Sequence, residues 1–372
     1  MKTLEQCRNE IDEIDQELIK LFEKRMNISK DVVNFKLQNK LEIFQPAREQ
    51  IVIDKNVNRI QETTLKPYAA TFIQMIMNIS KSYQSSFIPI KEKTILEEPI
   101  TNNIMVGYQG VEGSFSQQSM KLYFGETASK SYPHFEDVFE ALKNKEIDYG
   151  IVPLENSSTG AINDNYDLVR DYGFYIVGKQ SIPIRHHLLG LPNSTITNIK
   201  EVYSHTQALQ QCNTFLKQYP HINKQEYTNT ATAAMYIKQQ NDMTKAAIAS
   251  KEAASIYGLQ VLKENIEDQK DNHTRFIIIG RNLEKNAAAD HVSIVFTLRH
   301  QAGALYSILK AIKEYHINIS RIESRPMEHK SWEYYFYIDF EGNLEDKNVQ
   351  HAIAEMKTYC VSLRVLGNYQ QK

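Results

Sequence analysis

The sequence predicts a multi-domain chain with an all-α N-terminal domain, a central two-lobed α/β domain and a C-terminal α+β domain. Three observations support this prediction. Before residue 90, apolar residues recur at helical spacing and no strand pattern occurs. From 104 to about 280, short apolar runs alternate with Ser/Thr-rich turns and helical stretches. The remainder follows the order β-α-β-β-α-β, which is the ferredoxin-like order.

Length and composition narrow the functional classes. The 372 residues are too many for one ordinary core, and 42% apolar with 24% charged residues is typical of a globular protein. The formal charge of −2 and the lack of a basic stripe argue against nucleic acid as a partner. No apolar leader or uncharged run of about 18 residues occurs, so we expect a cytoplasmic protein without membrane contact. Cys7, Cys212 and Cys360 are few and far apart, so neither a disulfide framework nor a Cys-based metal site is expected.

Residues 1–88 are predicted to form the helical domain. The first helix runs from Leu4 to about Phe35, and prolines at 46 and 67 begin the second and third helices. A helix of about 50 Å exceeds the diameter of such a small domain, so another chain must cover its apolar stripe. We therefore predict an intertwined homodimer, with pairing of dimers into tetramers left open. Residues 89–102, rich in charge and proline, are predicted to be a linker.

Two cations share the apolar face of the first helix. At about 100° per residue, Arg25 and Lys36 fall within about 20° of each other on that face. Their aliphatic stems could reach out to water, but a buried charge without a counter-ion is costly. A dry pocket of this kind suits a small dianion that needs positioning more than proton transfer. Residues that could complete it are Arg48 and Glu49 on the second helix, Ser80 and Gln84 on the third, and Arg8, which lies on another side of the first helix and could serve the partner chain's site.

The segments "CRNEIDEID", "EKRMNISKDVVNFK", "PARE" and "SKSYQ" resemble the all-helical chorismate mutases. The resemblance implies that the domain converts chorismate to prephenate by a pericyclic rearrangement, which gains from orientation and from donors at the ether oxygen. Many relatives carry an Asp where this chain has Gln45, so the role of that position stays open. By position, Arg25 and Arg48 would hold carboxylates, Lys36 and Gln84 would face the ether oxygen, Glu49 would take the ring hydroxyl, and Arg8 would come from the neighbouring chain.

Polar residues accumulate at the predicted strand ends of the central domain. Ser/Thr-rich turns at helix starts can bind carboxylates or phosphates, although ordinary N-capping explains any single turn equally well. Gly107, Gly110 and Gly113 do not have the spacing of a dinucleotide site. His186 and His187 are adjacent in an extended run and point to opposite sides, so packing or hydrogen bonding is expected of them. The accumulated residues are Glu155, Asn156, Ser157, Ser204, His205, Gln207 and Thr230.

The segments "GYQGVEGSFS", "VPLENSSTGAI", "SHTQALQQC" and "NHTRFIIIG" resemble the prephenate dehydratases. The resemblance implies a periplasmic-binding-protein-like domain over 103–282 that converts prephenate to phenylpyruvate without a cofactor. Its donor to the leaving hydroxide would be Thr274, with Glu155 as the alternative acid. We expect "LENSST" and "HTRF" to face each other across the cleft between the lobes. By position, Asn156 and Gln207 would bind substrate, Arg275 is a candidate for a carboxylate, and Ser157, Ser204 and Thr230 are further candidate contacts.

Residues 290–372 resemble an ACT domain, and "QAGALYSIL" with "RIESRP" resembles the version that senses phenylalanine in dehydratases. A glycine at a helix start allows a ligand carboxylate to approach the backbone. The alternative is a purely structural dimerisation module. The resemblance implies feedback inhibition by L-phenylalanine at a site formed by Gly303, Ala304, Leu305, Glu323, Ser324 and Arg325.

The sequence therefore favours a bifunctional chorismate mutase and prephenate dehydratase with a phenylalanine-responsive domain. A second hypothesis is a non-catalytic small-molecule sensor, because two-lobed α/β and ACT domains also serve as receptors. A third is a dehydratase whose mutase domain is inactive and acts only in dimerisation.

Overall fold

The computed structural model describes residues 2–39, 46–85, 87, 96–158, 160–161, 164–327 and 332–372. Gln45, whose role the sequence leaves open, and Thr159, in the "LENSST" turn, lie outside the described residues. Within the described part, the order of elements matches the three predicted regions: helices first, then an α/β region, then a β-α-β-β-α-β unit.

Three α-helices form the helical domain, and their positions agree with the periodicity of the sequence. Prolines stand in the first turns of the second and third helices, where a missing N–H costs nothing. The second half of the first helix packs on the third through a stripe that includes Met26, Ser29 and Val33. The helices are α1 Leu4–Gln38, α2 Pro46–Val57 and α3 Lys66–Ser85.

None of the described residues outside α1 covers the first half of that helix. Ile14 and Leu18 lie on the same helical face as Arg25, yet they are 59% and 44% exposed. Ile11 and Leu21 are exposed as well. A surface of this kind is costly in water, so the structure agrees with the expectation that a second chain covers it. The dimer itself stays a prediction.

The central domain alternates strands and helices as predicted. Its helices begin at capping residues such as Ser114, Asn229 and Ser250, whose side chains accept hydrogen bonds from the first turn. In chain order the elements are β1 Met105–Gln109, α4 Phe115–Phe124, β2 Ala128–Tyr132, α5 Phe135–Lys143, β3 Tyr149–Asn156, β4 Gly160–Ala161, α6 Asp164–Tyr172, β5 Tyr175–Pro183, β6 His187–Gly190, β7 Glu201–Ser204, α7 Thr206–Gln211, α8 Asn213–Leu216, β8 Asn223–Glu226, α9 Thr230–Gln240, β9 Lys245–Ala249, α10 Lys251–Tyr257, β10 Gln260–Lys263 and β11 His273–Gly280.

These elements form two lobes, each with its own sheet. The first lobe has the strand order β5-β11-β3-β1-β2, with β4 beside β3, and the second has β10-β6-β9-β7-β8. The chain passes between the lobes twice, from β5 to β6 and from β10 back to β11. This organisation confirms the two-lobed prediction and leaves a cleft between the lobes, where the strand ends and helix starts of both meet.

The C-terminal domain has the predicted ferredoxin-like topology. Its sheet has the order β13-β14-β12-β15, and its two helices cover one face, where Ile294, Ile308, Ile338 and Val349 are fully buried. The elements are β12 His291–Leu298, α11 Ala304–Glu314, β13 Ile319–Pro326, β14 Tyr334–Glu341, α12 Lys347–Tyr359 and β15 Cys360–Tyr369.

One feature was not predicted from the sequence: the sheets of the first lobe and of the C-terminal domain are continuous. β15 pairs with β5 in parallel at Gly367 and Ile176. A side chain at 367 would overlap the carbonyl oxygen of Ile176, so the pairing requires glycine. Across the same interface Lys179 of β5 and Asp339 of β14 form an ion pair of 3.1 Å that is almost completely buried.

Two candidate active sites and a candidate regulatory domain

Arg25 and Ser80 form the centre of the candidate site in the helical domain. The guanidinium of Arg25 donates to the hydroxyl of Ser80 and, at 3.3 Å, to the carbonyl of Ile76 on α3. Ser29 lies 3.3 Å from the same hydroxyl. Burial lowers the pKa of Arg25, which is nevertheless far too basic to lose its charge. The helix pair thus holds a fixed cation over a partly dry surface.

Lys36, Glu49 and Gln84 extend this site toward the C-terminal end of α3. Burial lowers the pKa of Lys36, while the nearby carboxylate of Glu49 opposes that shift. Gln84 is 7% exposed, and its side-chain oxygen is buried without a hydrogen-bond partner in the described part of the chain. A buried amide of this kind calls for a further polar group.

Arg8 and Arg48 are exposed in the single chain. Arg48 begins α2 beside Glu49, whereas Arg8 lies in the uncovered first half of α1, away from the Arg25 cluster. One chain therefore joins Arg25 to Ser80 and sets Lys36 beside Glu49, with Gln84 one helical turn after Ser80 on α3, and the assignment of Arg8 to a partner's site stays a prediction.

The cleft between the two lobes is a cavity of about 280 Å³. Four of the predicted residues, Asn156, Gln207, Thr230 and Thr274, line it. Its other polar lining residues were not proposed as substrate contacts from the sequence: Gln109, Ser114, Ser116, His186, His205, Gln211, Thr228 and Asn229.

Asn156 and Thr274 meet at the floor of the cleft. They are register partners on the neighbouring strands β3 and β11, and the amide nitrogen of Asn156 donates to the Thr274 hydroxyl at 2.8 Å. The expectation that the two segments face each other across the cleft is therefore wrong, because both belong to the sheet of the first lobe. Since Asn156 donates, the O–H of Thr274 is available to donate toward the cavity.

A hydrogen-bonded chain that sequence reasoning missed fixes Asn156. Its side-chain oxygen accepts from the Ser158 backbone N–H at 3.0 Å and from the Ser158 hydroxyl at 2.7 Å, which sets the orientation of the amide. The side chain of Gln211 donates to Ser158 at 2.8 Å, and its oxygen lies 3.0 Å from His186 Nε2. The spacing of Gln211, one helical turn after Gln207, could have indicated it.

The structure does not bring Glu155 and Arg275 into the cleft. Side chains alternate along a strand, so both point to the face opposite Asn156 and Thr274, where they form an ion pair with each other. Glu155 as the alternative acid and Arg275 as a carboxylate ligand are therefore corrected.

Ser204 and Ser157 are structural in this fold and do not line the cleft. Ser204 is fully buried and donates to the Ile248 carbonyl at 2.6 Å. The Ser157 hydroxyl donates to the Asp271 carbonyl at 3.2 Å and accepts from the His273 N–H at 2.9 Å, so it shapes the turn. Their assignment as substrate contacts is also corrected.

The described lining of the cleft contains no Asp, Glu, Lys or Arg. Burial lowers the pKa of His186 and of His205, so both imidazoles are neutral near pH 7. Positive potential comes instead from the starts of α4 and α9, which point into the cavity at Ser114 and Asn229. An anion bound here would be held by backbone N–H groups, amides and hydroxyls.

In the C-terminal domain, Gly303 precedes α11 with φ of +79°, a left-handed conformation that favours glycine. Leu305 packs against the helix-covered core of this domain. On β13, Ser324 shares that face, because it lies opposite Phe336 of β14. Glu323 and Arg325 point to the other face, toward the central domain, where Arg325 pairs with Asp167 at 2.9 Å. The six predicted ligand residues therefore do not share one surface within a single chain.

Neither a membrane nor a metal is indicated by the described residues. None of the helices in that part of the chain is long and apolar enough to cross a bilayer. The same residues contain no group of three or more metal-ligating side chains.

Comparison with known proteins identifies both catalytic regions. The family model described as "Chorismate mutase type II" matches residues 7–85, and that of "Prephenate dehydratase" matches residues 106–284. A bifunctional chorismate mutase/prephenate dehydratase from Aquifex aeolicus is 34% identical over 372 residues, covering 99% of this chain and 98% of the relative. The chain belongs to this bifunctional family. It is an enzyme of phenylalanine biosynthesis with chorismate mutase and prephenate dehydratase domains.

Solved structures resemble 72% of this bifunctional enzyme. A prephenate dehydratase from Arthrobacter aurescens in complex with L-Phe aligns with a TM-score of 0.66 and 28% identity, covering 72% of this chain and 89% of that chain. GqqA, described as a quorum-quenching acylase of a novel type, aligns with a TM-score of 0.67 and 26% identity, covering 72% and 98%. These two neighbours have different activities, a dehydratase and an acylase. The Aquifex aeolicus relative, which matches almost the whole chain, is a bifunctional chorismate mutase/prephenate dehydratase, so the likeness to the dehydratase is the one that applies to this chain.

Proposed function

We propose that the helical domain binds chorismate over the Arg25 cluster and that the inter-lobe cleft binds the prephenate it produces. In the first site, Arg25 and Arg48 hold carboxylates while Lys36 and Gln84 donate to the ether oxygen as its bond breaks. The support is the partly dry cation of Arg25 beside Ser80, together with the buried side chain of Gln84 near the end of α3. A pericyclic step needs positioning and stabilisation of the oxygen where charge develops, and these residues provide both.

In the cleft, Thr274 is the proposed donor to the leaving hydroxide. The electrons of the C–CO₂ bond move into the ring as carbon dioxide forms, the ring carbon–oxygen bond breaks, and the departing hydroxide takes up a proton to become water. Asn156 donates to Thr274 Oγ1, which directs the threonine O–H toward the substrate. A threonine hydroxyl is a weak acid, so we assign it hydrogen-bond stabilisation of the leaving oxygen, and the proton that converts the hydroxide to water comes from an acid of the bulk solvent or buffer.

The single observation that carries this assignment is the Asn156–Thr274 pair at the floor of a cleft whose described lining has no charged side chain. Thr274→Val should reduce phenylpyruvate formation by about 10²–10³-fold, the usual cost of removing one such donor. Thr274→Ser, which keeps the hydroxyl, is the matched control and should retain most activity. The same assay should show prephenate still forming from chorismate. Equal loss of both activities in Thr274→Val would contradict the assignment.

Regulation and assembly complete the proposal. L-phenylalanine, which the Arthrobacter aurescens relative binds, inhibits this enzyme through the C-terminal domain, with Gly303 and Ala304 at the start of α11 receiving its carboxylate. A homodimer covers the exposed half of α1 and brings Arg8 to the partner's mutase site. The cytoplasm is the proposed compartment, in keeping with three free cysteines.

A further inference from the structure

Three alternate residues of β13 present charges to the central domain. Arg321, Glu323 and Arg325 lie on one face of the strand, while Ile322 and Ser324 lie on the other. Arg321 is only 12% exposed, and its guanidinium stacks on the ring of Tyr166 of α6 at 4.5 Å. These charges form part of the domain interface rather than the outer surface.

Glu155 joins this row to the strand that carries Thr274. One carboxylate oxygen of Glu155 contacts the guanidinium of Arg275, and the other lies 3.7 Å from Nε of Arg321. A further Arg275 nitrogen, Nε, is buried without a hydrogen-bond partner among the described residues. Glu155 is therefore the carboxylate that lies between a guanidinium of β11, which it contacts, and the guanidinium of Arg321, whose own hydrogen-bonded carboxylate is that of Glu323.

This bridge lies directly behind the cleft residues. Glu155 precedes Asn156 on β3, Arg275 follows Thr274 on β11, and the two pairs are successive register partners. Because successive side chains of a strand point to opposite faces, the ion pair and the Asn156–Thr274 pair lie back to back on the same two strand segments. A register shift between Arg275 and Phe276 interrupts the ladder at this point, so the ladder itself holds the pair less firmly.

We propose that Arg321, Glu155 and Arg275 position Thr274 in the cleft, and that the C-terminal domain acts on the dehydratase reaction through this bridge. The inference rests on the proposed function of the cleft. Glu155 is then a positioning residue with no contact to substrate, which explains a carboxylate beside Asn156 that the reaction does not use. The opposing possibility is that the bridge merely docks the two domains.

A second ion pair across the same interface separates these possibilities. Arg325 pairs with Asp167 at 2.9 Å, and Asp167 belongs to α6, none of whose described residues lines the cleft. Asp167→Asn removes an interdomain ion pair without touching β3 or β11. It is therefore a matched control for loosened docking.

The test is a double-mutant cycle in the full chain, with prephenate as substrate. Glu155→Gln and Arg321→Gln should each lower the dehydratase kcat about tenfold, since small displacements of positioned groups cost at least that much. Their KM for prephenate should stay within about twofold, because binding groups are unchanged. The kcat of the variant with both substitutions should be no lower than that of the slower single variant, because the two residues act through the same bridge. Asp167→Asn should keep the wild-type kcat, and Arg321→Lys should recover part of the loss. Mutase activity and circular dichroism of the same samples report folding.

Additive losses in the double variant, or an equal loss in Asp167→Asn, would overturn the proposal in favour of docking. Unchanged kcat in Glu155→Gln would overturn it outright. If Arg321→Gln does not fold, Glu155→Gln with Arg321→Lys decides the same question. A wild-type enzyme that leaves prephenate unchanged would instead refute the proposed function of the cleft.

Discussion

Lys179→Met tests the buried ion pair that joins the central and C-terminal domains. Lys179 and Asp339 are 2% and 1% exposed, and the carboxylate also accepts from Tyr166 at 2.9 Å and from Ser293 at 2.5 Å. Methionine fills most of the volume of the lysine stem but leaves Asp339 as a buried anion without its ion-pair partner, so that Arg321 is the remaining cation that acts on this carboxylate. The variant therefore isolates the electrostatic part of the interface.

Removing one partner of a buried pair typically costs about 3–5 kcal/mol. Two hydroxyl donors remain on Asp339, so we expect a loss of about 3 kcal/mol, at the lower end of that range. For a unit of this size, such a loss corresponds to a fall in Tm of roughly 5–10 °C. This loss arises from the unpaired charge of Asp339. Adding Asp339→Asn to the Lys179→Met variant should therefore restore most of the lost free energy of unfolding.

The assay is thermal and urea unfolding followed by circular dichroism, with wild type, both single variants and the double variant. Lys130→Met is the control, because it removes an even shorter ion pair, Lys130–Glu146 at 2.8 Å, whose side chains are about half exposed. It should leave the midpoint unchanged, as exposed pairs contribute little. A Lys179→Met midpoint as high as that of the control, or a double variant less stable than Lys179→Met, would refute the reasoning.

Two further predictions concern the cleft. Gly113 approaches α10 of the second lobe so closely that an added Cβ would lie 2.9 Å from Ala253 Cα, and its φ is +82°. Gly113→Val should therefore hold the lobes apart and lower the dehydratase kcat/KM, while the mutase kinetics stay normal. A normal dehydratase kcat/KM in this variant would contradict the prediction. Burial lowers the pKa of His186 in the folded protein, so as the pH falls below about 6.5 this imidazole is protonated in the unfolded chain but not in the folded one. The free energy of unfolding should therefore decline by up to about 1.4 kcal/mol per pH unit because of His186. Urea midpoints between pH 7.5 and 5.5 measure this decline, which His186→Asn should reduce; an equally steep decline in the variant would contradict the assignment.

Periodicity was sufficient for the three helices of the first region and for the element order of the other two, but not for β2 and β8, because their sequences ASKSY and NKQE lack an apolar alternation. Pro46 and Gly303 mark helix starts where the sequence predicted them. The sheet that continues from β5 into β15 could not be predicted, since pairing between distant strands leaves no local signal beyond a glycine such as Gly367.

The candidate sites were predicted in part, for identifiable reasons. Arg25 and Ser80 meet because helical spacing fixes which side chains share a face. The sequence suggests Glu155 as the alternative acid because it is the carboxylate of the polar segment "LENSST", but the two-residue period of a strand places it on the face opposite Asn156. That period would have placed the carboxylate behind the cleft from the start.

The most direct test of the bifunctional account is to incubate the full-length protein with chorismate alone and to identify the product by mass. The account predicts phenylpyruvate from the wild type and accumulated prephenate from Thr274→Val. Unchanged chorismate would contradict it in favour of a sensor. Turnover of added prephenate without turnover of chorismate would mean that the helical domain acts only in dimerisation.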